Sequence, residues 1–238
     1  MLNSRLLLVF LLWVNFLSAA HAQLSGLKGN GRIQKERRPI SGVREVRIDK
    51  GIDLYIKQGS QEVLVLEADE NILEFITTDL DNGELRISLS RNFIRTQNLK
   101  VHLTVRTLQR LHASGGADVY SEGVLRAEKM SCIAEGGSDI RLELDVKNLT
   151  VSSSGGSDAY LKGLAQSVKA TASGGSDIKA GQLRADLVVV EASGGSDAYV
   201  YADMELTARA SGGASVYYSG NPKKVLRSTS GGGDVTKR

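Results

Sequence analysis

The C-terminal half of the chain alternates apolar and polar residues in short runs, each broken by a glycine pair. The pairs begin at Gly115, Gly136, Gly155, Gly174, Gly194, Gly212 and Gly231, at spacings of 21, 19, 19, 20, 18 and 19 residues. Aligned on the pair, the residues fall into columns. Two before it stand Ala113, Ala134, Ser153, Ala172, Ala192, Ala210 and Thr229. Four before it stand Leu111, Cys132, Val151, Ala170, Val190, Ala208 and Arg227, and six before it Gln109, Met130, Leu149, Val168, Val188, Leu206 and Val225. These mostly apolar columns alternate with polar ones. Period two predicts a strand with one buried face.

The pattern resumes after the pair. Asp118, Asp139, Asp158, Asp177, Asp197 and Asp234 form one column, with Ser215 as the exception. Val119, Ile140, Ala159, Ile178, Ala198, Val216 and Val235 follow, then Tyr120, Arg141, Tyr160, Lys179, Tyr199, Tyr217 and Thr236. Alternation turns the middle column inward and sets the Asp and Tyr/Arg/Lys columns on one outer face. A period near 19 residues is too short for helix pairs or propeller blades. It fits one coil of a β-solenoid, made of two or three short strands. The glycines are expected at its corners, where stacked bends need positive φ and bring backbones close. A phosphate-cradling loop would need a helix after the glycines; strand patterns follow instead.

The fold class is therefore all-β: one elongated solenoid, right-handed because such crossovers dominate parallel β structure. Residues 40–112 are β-rich without the motif. Ile52, Leu54 and Ile56 alternate with polar residues. Val63–Ala68, Leu85–Leu89 and Val101–Val105 are strand candidates, Asp81-Asn82-Gly83 is a turn, and Asn71–Phe75 a short helical turn. This stretch is expected to continue the solenoid as less regular coils and cap its N-terminal end. Residues 113–225 carry the regular coils, and residues 226–238 a last partial coil.

The first residues read as a targeting segment. Arg5 precedes the apolar run Leu6–Leu17, and Ala20-His21-Ala22 offers a small-x-small cleavage site, so residues 1–22 are expected to be a signal peptide. The only Cys is Cys132, so neither a lipid anchor after cleavage nor an internal disulfide is expected. The protein is expected in the periplasm, the outer envelope or outside the cell, with no later membrane span. Losing Arg5 takes the net charge from +3 to +2, which gives no ground for a nucleic-acid partner. Arg32, Lys35, Arg37 and Arg38 read as a flexible basic arm over residues 23–39.

Candidate chemistry is sparse. His102 and His112 lie apart from any Ser-His-Asp order or metal-ligand spacing, and Cys132 reads as a buried filler. The Asp column is the feature that needs an account. Carboxylates stacked about 4.8 Å apart repel by about 1 kcal/mol in water, and by roughly 3–4 kcal/mol at an effective dielectric of 20. Hydrogen bonds from turn N–H groups or serines would relieve them; a calcium ion between coils is the sharper alternative, and no cofactor is expected. The Tyr/Arg/Lys column would either make cation–π contacts between coils or offer an aromatic strip for sugar rings or a protein partner.

A signal segment, the lead-in Gly51-Ile52-Asp53-Leu54-Tyr55-Ile56 and Val65-Leu66-Glu67-Ala68-Asp69-Glu70-Asn71, and then Gly-Gly-x-Asp repeats resemble the bacterial family described as "putative auto-transporter adhesin, head GIN domain". The likeness covers roughly residues 40–225. It implies a β-helix-like fold, export and an adhesive role, and no catalytic residues. The few residues after the last glycines leave no room for a membrane barrel, so an adhesin-like head is the expectation. The function expected is non-enzymatic binding of a cell-surface glycan or envelope protein. A polysaccharide-cleaving β-helix using Asp, Arg141 and Lys179, and a purely structural envelope protein, are the alternatives.

Overall fold

The structure is a computed structural model that describes residues 27–91, 93–96 and 98–238. The expected signal peptide lies outside the described residues. The N-terminal part contains β1 (Leu27–Lys28), β2 (Ile33–Arg38), β3 (Glu45–Ile48), β4 (Asp53–Gln58), β5 (Val63–Asp69), β6 (Ile76–Asp81), β7 (Glu84–Leu89), β8 (Phe93–Arg95), β9 (Leu99–Val105) and β10 (Arg110–Ala113). The repeats form β11 (Val119–Glu135), β12 (Asp139–Ser154), β13 (Asp158–Gly174), β14 (Asp177–Gly194), β15 (Asp197–Gly212), β16 (Ser215–Ser219), β17 (Lys224–Gly231) and β18 (Asp234–Lys237).

From β11 to β18 every pairing is parallel and joins equivalent residues of successive coils. The chain is a β-solenoid with coils about 19 residues apart. Each complete coil is one bent strand of 16 to 18 residues, rather than two or three separate short ones. The bend shows as a slip in the alternation. In β12, Lys147 and Asn148 are both exposed between buried Val146 and Leu149. Only the last coil is cut in two, at the loop holding Asn221 and Pro222 between β16 and β17.

The inward columns are fully buried. Leu111, Cys132, Val151, Ala170, Val190 and Ala208 face Val119, Ile140, Ala159, Ile178, Ala198 and Val216 across the core, all at 0% exposure. Whole coils alternate in bulk: Ile140 and Val151 share a coil, Ala159 and Ala170 the next, Ile178 and Val190 the one after. Burying each Val, Leu or Ile contributes about 1.5–3 kcal/mol, so the core draws its stability from many small layers. Arg227, the outlier in its column, lies where the core ends. Its guanidinium sits 5.0 Å from the Tyr218 ring centroid, donates to the Tyr218 hydroxyl and closes the apolar interior with a charged lid.

At each corner the first glycine is left-handed, from φ 60° at Gly115 to φ 76° at Gly174. The Gly-Gly-Ser-Asp serine is buried. Ser176 Oγ lies 2.7 Å from Ser153 O on the preceding coil and 2.9 Å from Ser173 O, and accepts the Ser173 N–H at 3.2 Å. Ser138 and Ser196 reach back to Ala113 O and Ala172 O in the same way. Ser176→Ala is expected to leave a buried N–H and a carbonyl without partners and to cost about 1–3 kcal/mol, measured as a lower urea midpoint.

The N-terminal part combines a less regular coil with antiparallel strands. β3 and β4 form a true coil that stacks on β10 and β11. Its corner is Lys50-Gly51, with φ 59° and 70°, in place of a glycine pair. The later segment β7 and β9 then lies outside this coil, parallel to β3 and β4. Antiparallel strands finish the end: β6 along β7, and β5 with β2 along β9. Reversed strands cannot pass the parallel coil pattern onward, which is why they suit a cap.

The basic arm over residues 23–39 is also corrected. Residues 33–38 form β2, antiparallel to β5. Lys35 pairs with Glu67 at 3.0 Å and Arg32 with Glu70 at 2.7 Å. Arg38 donates to Ile76 O at 2.7 Å and Thr78 Oγ1 at 2.9 Å. The charges satisfy backbone and carboxylates at the solenoid end, and that holds the segment in place.

Candidate binding face

The Asp column owes its stability to the coil below it. Asp118 Oδ1 accepts the backbone N–H of Asp139 at 3.1 Å, Asp139 Oδ1 that of Asp158 at 3.1 Å, Asp158 Oδ1 that of Asp177 at 3.3 Å, and Asp177 Oδ1 that of Asp197 at 3.2 Å. The other oxygens take side-chain donors. Tyr120 donates to Asp118 at 3.2 Å, Tyr160 to Asp158 at 2.9 Å, Arg141 to Asp139 at 2.8 Å and Lys179 to Asp158 at 2.7 Å. Each inner carboxylate thus has one oxygen on backbone and one on a donor two residues along or one coil on. Beyond Asp197 the Ser215 N–H goes to Ser196 O at 3.1 Å, the counterpart of the bond from Asp177 N–H to Ser157 O at 3.2 Å.

Burial pushes Asp158 up, but hydrogen bonds from Lys179 and Tyr160 outweigh it and hold the carboxyl below its usual range. Burial opposes the Lys179 charge, and bonds to Asp158, Tyr160 and Asp177 overcome that and raise it. Asp53, at the N-terminal end of the column, is pushed up by burial and by Asp118. With lone pairs already engaged, calcium at about 10 mM, above the range of weak extracellular sites, is expected to leave Tm unchanged. A rise reversed by a chelator would defeat this account. Among the described residues no group of three or more His, Cys, Asp or Glu is placed to hold a metal.

The neighbouring column is longer than its seven motif residues. In register it runs His102, Tyr55, Tyr120, Arg141, Tyr160, Lys179, Tyr199, Tyr217 and Thr236. His102 stacks on Tyr55 at 5.2 Å, Tyr55 on Tyr120 at 5.2 Å, and Tyr199 on Tyr217 at 4.9 Å. The Arg141 Cζ lies 5.5 Å from the Tyr120 centroid and 4.6 Å from that of Tyr160, and Lys179 Nζ lies 4.7 Å from Tyr160. Arg238 covers the C-terminal end, 3.9 Å from Tyr217. The faces of Tyr55, Tyr120 and Tyr160 are therefore taken by the rungs before and after them. Ring edges and hydroxyls, not open ring faces, are what the column offers to a ligand.

Sequence reading missed Tyr55, His102 and Arg238. Tyr55 carried a signal: Gly51-Ile52-Asp53-Leu54-Tyr55 repeats the order of Gly116-Ala117-Asp118-Val119-Tyr120. Aligning on Asp and Tyr rather than on the glycine pair would have found it. His102 and Arg238 reach the column only through the topology of β9 and the path after β18.

Beside the ladder runs a groove of about 540 Å³. Tyr120, Arg141, Tyr160, Lys179 and Tyr199 form one wall, Ser121, Glu143, Lys162 and Gln182 the other, and Leu142 and Leu161 belong to its lining. Lys162 pairs with Glu143 at 3.1 Å. The Asp column is not part of this lining. His112 stands elsewhere, on β10, 3.0 Å from Glu135. Cys132 is buried in the core, its thiol pushed up to about 12 by that burial.

No helix among the described residues is long and apolar enough to cross a membrane. The coil stack is shared with solved structures. A protein from Bacteroides fragilis described as a putative adhesin superimposes with a TM-score of 0.86 at 23% identity, over 90% of this chain and 100% of that one. One so described from Parabacteroides merdae gives 0.72 at 18%, over 89% and 98%. A Parabacteroides distasonis protein described as a putative lipid binding protein gives 0.71 at 20%, over 89% and 99%. At these identities the likeness is one of fold. No curated protein matches the chain in sequence. Residues 43–222 match the family described as "putative auto-transporter adhesin, head GIN domain", and the chain belongs to that family.

Proposed function

We propose that the protein is an exported, non-enzymatic binding protein that holds a cell-surface glycan or an envelope protein along the ladder groove. The observation that carries this reading is the groove itself. It is an extended concave surface on a rigid scaffold, lined by tyrosine edges, two ammonium groups, a guanidinium, a carboxylate and an amide. Convergent polar groups set among aromatic side chains are a usual form of ligand pocket. The ladder's internal bonds keep the wall in place before any ligand arrives, which lowers the ordering cost of binding. The adhesin description of the family and of the Bacteroides fragilis relative supports the same reading.

The test is a glycan array read with the native protein and with Lys162→Ala/Gln182→Ala. Both side chains line the groove and are exposed, and neither joins the Asp or Tyr/Arg/Lys columns. Binding is expected to fall at least about tenfold with Tm unchanged. Equal binding by the folded variant would remove the groove from consideration. An array without any ligand would favour the purely structural role, and turnover of an acidic polysaccharide on the same array would favour an enzyme.

A further inference from the structure

The two ends of the solenoid are built differently. The N-terminal end is closed by antiparallel β6 and by β5 with β2. At the other end, among the described residues, β17 pairs only with β15 and β18 only with β16. The outer backbone edge of β17, 8 residues long, is open. The core beneath it is not, because Arg227 lies over Tyr218. An added strand can therefore join the sheet there, while a further complete coil would have no apolar interior to continue.

Charge narrows the occupant. Residues 221–238 hold Lys223, Lys224, Arg227, Lys237 and Arg238 against Asp234, and of these Lys224 is paired with Glu205 of the preceding coil at 2.7 Å. Two copies meeting by this end would bring like charges together, the device by which edge strands avoid self-pairing. A head-to-tail copy would bring acidic β6, with Asp79 and Asp81, towards β17. It would also set Lys35 and Arg37 of β2 against Lys237 and Arg238. An acidic strand from another protein meets neither obstacle. Leu226, 50% exposed on the outer side of β17, gives such a strand an apolar neighbour.

We propose that the β17 edge takes an added β-strand from an acidic, extended segment of a partner protein. This site is separate from the ladder groove, so either can fail alone. The experiment uses the full chain and two synthetic peptides of β17's length, one alternating valine with glutamate and one valine with lysine. The acidic peptide is expected to bind at least about tenfold tighter, to protect β17 amides from hydrogen exchange, and to weaken with salt. Lys223→Glu is expected to lose that preference with Tm unchanged; if it fails to fold, Lys223→Gln serves. Equal binding of the two peptides, no binding of the acidic one, protection away from β17, an unaffected variant, or a self-associating chain with β17 already protected would each overturn the proposal.

Discussion

Gly194→Val is expected to be among the most damaging single changes in the repeats. Gly194 sits at φ 75°, and a Cβ there would lie 3.1 Å from Gly174 O and 3.2 Å from Gly174 N on the coil before. The left-handed backbone alone costs an L-residue about 1–2 kcal/mol, and more for a β-branched one. The contacts are backbone, so no side chain can swing aside to relieve them. The sum is expected to reach about 3 kcal/mol or more. In a stack where each coil holds only its neighbours, the damage should be local. Amide exchange should quicken in β14 and β15 and stay unchanged in β7 and β9. Gly175 provides the contrast, since its φ is not left-handed and a Cβ there meets nothing within 4 Å. Gly175→Ala is expected to raise stability by about 0.4–1 kcal/mol through the unfolded chain. Equal losses for the two variants, read by chemical denaturation, would show that glycine content and not the corner geometry matters.

The same corner shows why the regular coils were legible. A repeated left-handed turn demands glycine, and a two-residue alternation declares its buried face, so both leave marks in every copy. The cap left weaker marks. β2 reads Ile33-Gln34-Lys35-Glu36-Arg37-Arg38, nearly without apolar residues. It is a strand because β5 offers an edge and Glu67 a counter-charge, and alternation cannot report a partner. The Lys50-Gly51 corner hid for a related reason. Lys50 tolerates φ 59° while its ammonium donates to Leu89 O at 2.5 Å, so the glycine pair is reduced to one. Neither the pattern nor the composition reveals that β7 and β9 pass outside β3 and β4. That depends on which edge remained free once β5 had turned back.

The candidate face was half legible. Alternation turned the Asp and Tyr/Arg/Lys columns outward, and the stacking interval made their contact foreseeable. It did not show that the carboxylates bind the next coil's own backbone. That bond changes the meaning of the aspartates. They are first the link between successive corners and only then a surface a ligand could meet, so their loss should appear as instability before it appears as lost binding.

Asp158→Ala puts this to the test. It removes one of the two acceptors of the Asp177 N–H, which keeps Ser157 O at 3.2 Å, the acceptor of the Tyr160 hydroxyl, and one of the three partners of Lys179, leaving that ammonium with Tyr160 at 3.2 Å and Asp177 at 3.1 Å. The loss is expected at about 2–3 kcal/mol. Asp158→Asn keeps an oxygen for the Asp177 N–H and should cost about 1 kcal/mol. The two variants also separate charge from hydrogen bonding by pH. The folded carboxyl of Asp158 titrates below its unfolded value of about 3.9. Its stabilisation is therefore present above that value and is lost as pH falls through the folded one, where the unfolded chain binds more protons. Asp158→Asn should flatten this acid limb. Asp53, raised by burial and by Asp118, acts in the opposite sense: its contribution is present in acid and declines as pH rises from the unfolded value through the folded one. Asp53→Asn should make the native state gain relative to wild type over that interval. Melting temperatures across the acid range would decide the matter. If both asparagine variants shifted the curve the same way, the column would be a uniform row of surface charges. Opposite shifts would show a ladder whose central rung is held ionised by its neighbours and whose first rung is not.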